Sequence, residues 1–144
     1  MSTRATIGMK LPDNTIQAIY CHNDGYPEGV GATLCKAYTD PAKVKALIDL
    51  GALSCLGEEL EPAPDRPHTL AKPQKNVTIA YHRDNHEPLD PGQNYATLDD
   101  YARDAPNFYD AEYLYFFEDG DWRFITARGQ CEWAAVKDVL KKQN

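Results

Sequence analysis

Hydrophobic and polar positions along the chain change period several times. Arg4 to Met9 and Thr15 to Cys21 are short β-prone runs separated by Leu11-Pro12-Asp13-Asn14, whose proline and Asx residues favour a turn. The pattern predicts a hairpin. A loop, His22-Asn23-Asp24-Gly25-Tyr26-Pro27-Glu28, follows, with Pro27 suited to a first helical turn. Val30, Leu34 and Tyr38 then recur every four residues, which predicts a helix with one apolar face. Asp40-Pro41 reads as an N-cap and first helical position, Val44, Leu47 and Ile48 as the buried stripe of a second helix, and Gly51 as its stop. The short connection predicts that these two helices form an antiparallel pair.

From Gly57 to Lys75 the chain holds four prolines and no periodicity, which predicts a long surface loop. Asn76 to His82 alternates again, with Val77, Ile79 and Tyr81 on one face, and a second irregular stretch runs from Arg83 to Ala96. Thr97 is placed to cap a short helix through Tyr101, with Asp99 and Asp100 in its first turn and Pro106 beyond its end. Glu112 to Glu118 and Trp122 to Ala127 flank Asp119-Gly120, the strongest hairpin signal in the chain. Cys131 to Lys142 reads as a last helix, with Trp133, Val136 and Leu140 on one face. Together these elements predict one α+β domain over residues 1–144. Its mostly antiparallel sheet has about five strands and is covered on one side by three to four helices, with irregular surface loops near 57–75 and 83–96.

Composition fits that picture. The 144 residues are 42% hydrophobic and 10% aromatic, enough for one core without a metal or disulfide staple. Cys21, Cys35, Cys55 and Cys131 form no Cys-x-x-Cys pair and sit among apolar neighbours, so they read as small buried hydrophobes rather than zinc ligands. No apolar run suits a secretion signal, and the greasiest stretch, Tyr113 to Phe117, is far short of the roughly 20 residues of a membrane-spanning helix. A cytoplasmic protein without a membrane role is expected.

Charge narrows the partners. The net charge is −7, and between Asp84 and Asp121 eleven acidic residues face one base, Arg103, a local −10 that leaves +3 for the remainder. Such a surface repels the phosphate backbone, so direct nucleic-acid binding is disfavoured. An acidic face instead suits either solubility or a basic protein partner.

Known catalytic signatures are missing. Gly25, Gly29 and Gly31 match neither the dinucleotide fingerprint nor a P-loop, and His82-Arg83-Asp84 lacks the context of a kinase catalytic loop. No cofactor is implied. Two polar clusters remain, each beginning where a predicted strand ends: His22, Asp24, Tyr26 and Glu28, and then His82, Arg83 and Asp84 with His86. Three uses are open to them. As local structure, Asp24 bonds nearby backbone and the histidines cap loops. As a binding site, the clusters meet at one end of the sheet and Arg83 favours a small anionic ligand. As a metal-dependent, hydrolase-like site, His22, Asp24, His82 and Asp84 act as ligands or acid/base groups.

Tyr20-x-His22-x-Asp24-Gly25-Tyr26-Pro27-Glu28-x-x-Gly31, with Ser2-Thr3-Arg4, Leu47-Ile48-x-x-Gly51-x-Leu53-Ser54, Tyr81-His82-Arg83-Asp84 and Tyr113-x-Tyr115, resembles a family of small uncharacterised proteins encoded by bacteriophages and prophages. The likeness spans most of the chain and departs from the pattern at Asn23 and Ala52. It implies an accessory protein in the host bacterial cytoplasm that binds a host protein or a small ligand, antagonism of a host defence system included.

Overall fold

The computed structural model describes residues 2–127 and 132–142. Strands β1 (Ala5–Lys10) and β2 (Ile16–Cys21) form the predicted hairpin, with Asn14 in the left-handed region at the turn. A single π-helical turn (Pro27–Gly31) leads into α1 (Ala32–Ala37), and α2 (Pro41–Asp49) follows. The Asp40 carboxylate caps α2 by accepting from the Ala42 N–H, and Gly51 just beyond has φ +78°, the conformation that favours glycine at a helix stop. Then come β3 (Leu53–Cys55), β4 (Ile79–Ala80), the short α3 (Tyr81–Asn85) and β5 (Gln93–Tyr95). The second half holds α4 (Leu98–Tyr109), β6 (Tyr113–Glu118), β7 (Asp121–Thr126), β8 (Ala134–Ala135) and α5 (Val136–Lys142).

The α+β class holds, but the architecture expected from the pattern does not. Among the described residues the strands form one mixed sheet of eight with five α-helices, not about five mostly antiparallel strands with three to four helices. Strand order is β4-β3-β2-β1-β6-β7-β8, with β5 also paired to β2. β1 runs parallel to β6 and β2 parallel to β3. Four of the strands, β3, β4, β5 and β8, are two or three residues long, too short to carry a period-2 signal. The run from Asn76 to His82 splits, so that only Ile79 and Ala80 join the sheet and the chain turns into α3 at Tyr81. At the C-terminal end Ala134–Ala135 form β8 before α5 begins, and Cys131 lies outside the described residues.

Both faces of the sheet are covered, not one. The larger cluster joins Ile7, Ile19, Leu53 and Tyr115 on the sheet to Leu34 of α1, Val44 and Leu47 of α2 and Val136 of α5. The smaller joins Ile16, Leu114 and Phe116 to Tyr101 and Ala105 of α4. That second layer explains why α4 runs on through Pro106 to Tyr109 instead of stopping near Tyr101. Proline removes one helical donor, yet Ala105 and Tyr109 continue an apolar face that packs against the sheet. Trp122, 1% exposed, satisfies its buried indole N–H on the Tyr38 carbonyl at 2.8 Å. No helix among the described residues is long and apolar enough to cross a membrane.

Candidate functional site

The Asp-Gly-Tyr-Pro-Glu stretch is first of all a structural knot. Gly25 is buried and donates to the Thr3 carbonyl, and a Cβ there would meet Ala5 Cβ at 2.7 Å and Thr3 O at 2.8 Å. Its own carbonyl accepts from the buried Tyr115 hydroxyl at 2.6 Å. Asp24, at φ +58°, accepts from the Val30 N–H through its carbonyl, and its side chain receives the Tyr26 hydroxyl at 3.2 Å. The Asp24 charge is what chiefly raises the pKa of that phenol. Asp24, Tyr26 and Glu28 are all exposed on this loop, while His22 is half-buried and its Nδ1 lies 2.7 Å from the Tyr20 hydroxyl.

Arg83 and Asp84 turn inward. The Asp84 carboxylate, 3% exposed, accepts from the Ala80 N–H at 2.8 Å and takes a two-pronged bond from Arg83, Nε at 2.8 Å and Nη2 at 3.0 Å. Arg83 spends its other donors on the carbonyls of Leu60 and Thr78. His68, buried in the proline-rich loop, completes the cluster. Its Nδ1 accepts from the Gln74 N–H, so Nε2 carries the proton and points it at the Thr78 carbonyl at 3.0 Å, with Asp84 at 3.4 Å. This network ties the loop over 57–75 to β4 and α3. It leaves Arg83 few donors for an anionic ligand and Asp84 no approach for a metal.

The two histidine clusters do reach the same part of the sheet, though β2 and β4 run antiparallel with β3 between them. His22 N donates to Leu53 O and Tyr81 N to Ala52 O, so both segments border the start of β3. They do not share one site. A cavity of about 230 Å³ opens there, lined by Tyr20, Ala52, Tyr81, His82, Glu87 and Asp90. His82 lines it, whereas His22 meets the lining through Tyr20. Asp24 stands on the exposed knot and Asp84 in the buried cluster. Among the described residues no group of three or more His, Cys, Asp or Glu is arranged to hold a metal ion.

The cavity is built by backbone. The Asp90 carbonyl accepts from the Ala52 N–H, and Gly51 lets it sit so near that a Cβ there would come within 2.4 Å of that oxygen. Glu87 N donates to Tyr81 O, and the Glu87 carbonyl takes the proton of His82 Nδ1 at 2.7 Å. A carbonyl only accepts, so His82 Nδ1 carries a proton, and in the uncharged tautomer Nε2 is an acceptor. On the far side Tyr20 stacks on Tyr109 of α4, ring centroids 5.9 Å apart and 12° from parallel.

Along α4 the solvent face carries Asp99, Asp104 and the half-buried Asp100, partly balanced by Arg103, which pairs with both Asp100 and Asp104. Near its end Phe108 is 63% exposed, the most exposed large hydrophobic side chain among the described residues. Sequence reading missed Phe108, His68 and Tyr20, because each lay in a segment read as past a helix end, a loop or a strand interior. Comparison with known proteins gives no match: no family model fits the chain, and neither a curated protein nor a solved structure is similar to it.

Proposed function

We propose that the chain is an accessory protein of phage or prophage type that acts by binding a basic host protein through α4. The observation that carries this reading is Phe108, an exposed aromatic ring on a helix whose outer face carries three acids, Asp99, Asp100 and Asp104, against one base, Arg103. A large ring held in water is a cost to the free protein and an anchor in a complex, where aromatic residues dominate binding energy. The flanking carboxylates supply steering and choice of a positively charged partner. Antagonism of a host defence system is one outcome of such binding, suggested by the resemblance to phage proteins. The metal-dependent hydrolase reading needs His22, Asp24, His82 and Asp84 at one point, and the bonds made by Asp84 oppose it.

Capture from a bacterial lysate tests the proposal with three baits: the wild type, Phe108→Ala, and the triple reversal Asp99→Lys, Asp100→Lys, Asp104→Lys. The expected result is a basic protein retained by the wild type at physiological salt, weakened about tenfold or more by either change and released by added salt. Retention of the same proteins by all three baits would remove α4 from the account.

A further inference from the structure

The cavity beside β3 has a chemistry of its own. Two tyrosines, Tyr20 and Tyr81, line it together with His82 and two acidic residues, Glu87 and Asp90. Each carboxylate has one oxygen engaged locally: Glu87 Oε2 accepts from Asn85 Nδ2, and Asp90 Oδ1 from the Gly92 N–H. Among the described residues neither forms an ion pair with Lys or Arg. Arg4, whose charge acts on the Tyr20 phenol, does not line the cavity and is paired with Asp110. The free carboxylate oxygens of Glu87 and Asp90, and Nε2 of His82 in its uncharged form, are all acceptors, and tyrosine rings add negative π faces.

Size limits the occupant. At about 230 Å³ the cavity falls below the roughly 300–1,000 Å³ of sites for drug-sized ligands. It fits a head group, not a nucleotide. Its walls are fixed in advance by Gly51, the Ala52–Asp90 bond and the His82–Glu87 bond, so little ordering is needed on binding.

We propose that this cavity binds a single guanidinium or ammonium head group between the tyrosine rings, with Glu87 and Asp90 as counter-charges and His82 Nε2 as a further acceptor. The inference deepens the binding reading above and rests on it only for the source of the cation, a Lys or Arg side chain of the partner. A free small amine offers the same chemistry.

Titration followed by NMR tests it with three probes: agmatine, arginine capped at both ends as the acetyl methylamide, and glutamine capped in the same way. Saturable binding in the millimolar range is expected for the two cations, with shifts centred on Tyr81 and His82, and none for the glutamine probe. Binding of capped arginine as well as agmatine shows that a protein side chain suffices, while binding of agmatine alone assigns the site to free amines. The double variant Glu87→Gln, Asp90→Asn keeps the local acceptor oxygens and the fold, and should weaken both cations about tenfold or more. No saturable binding up to about 50 mM, or equal affinity in the double variant, overturns the proposal. Phe108 and the α4 acids do not line the cavity, so failure of the α4 interaction leaves this result standing, and the reverse.

Discussion

Asp84 and His68 hold the long proline-rich loop to the rest of the molecule, and neither could be assigned that task from sequence. Residue types that bind ligands are the same types that close buried networks, so His82-Arg83-Asp84 at a strand end reads equally well as a site or as a pin. The choice depends on His68, which sits in a stretch with no periodicity and meets Asp84 only after the loop has folded back. With the Asp84 side chain 3% exposed and that of Arg83 22% exposed, removing the carboxylate leaves the Arg83 guanidinium on the Leu60 and Thr78 carbonyls without its bidentate partner and frees the Ala80 N–H. Asp84→Ala should therefore destabilise the fold by about 2–4 kcal/mol, partial exposure of Arg83 keeping the loss below that of a fully buried pair. Urea unfolding measures this, and protease nicking within 57–75 should quicken in parallel. A loss under about 0.5 kcal/mol would show the network to be incidental.

Elements whose cause is local were legible; elements whose cause is a neighbour were not. Asp40 and Thr97 cap their helices as read, because a side chain accepting an N–H two or three residues away involves only the adjacent backbone. Asp119 and Gly120, both at positive φ, make the hairpin turn for the same reason. By contrast β3 and β5 exist through pairing with β2, and nothing in two or three residues announces that. Gly51 is a helix stop in sequence and in structure, yet its second use, letting the Asp90 carbonyl close over it, depends on the fold. Gly51→Ala meets both demands at once: a φ of +78° and a Cβ 2.4 Å from Asp90 O. A cost of about 1–3 kcal/mol is expected in thermal unfolding, together with amide shifts at Glu87 and Asp90 as the cavity wall moves. Unchanged amides there would mean that the loop does not lean on Gly51.

At the scale of the whole molecule the pattern identified the class but not the topology. β1 and β6 are more than a hundred positions apart and run parallel, and only a β1 buried on both faces makes their pairing necessary. The same two-sided burial leaves a group of ionisable side chains that the native state holds neutral. Burial raises the Cys21 thiol from 9.0 to about 12, with Cys55 adding to the rise. It also raises the phenols of Tyr38, Tyr101 and Tyr115 above their ordinary 10.0. For an acid whose folded pKa is raised, the unfolded chain releases its proton first, so the stabilising contribution is complete below the unfolded value and is lost as pH climbs toward the folded one. Stability in urea should thus be level from pH 7 to about 8.5, decline above 9 as the thiol ionises in the unfolded chain, and steepen beyond 10 as the phenols follow. Each such group adds about 1.4 kcal/mol per pH unit to the slope while it is charged only in the unfolded state. Tyr101→Phe isolates one of them. It keeps the ring but deletes the hydroxyl that meets Thr6 at 2.6 Å and donates to Tyr115 O at 2.9 Å, so it should cost about 1–2 kcal/mol at pH 7. Above pH 10 its slope should be shallower than the wild type by close to the contribution of one group, bringing the two curves together. Parallel curves through pH 11, or a wild type still level at pH 10.5, would mean that these hydroxyls reach water in the native state.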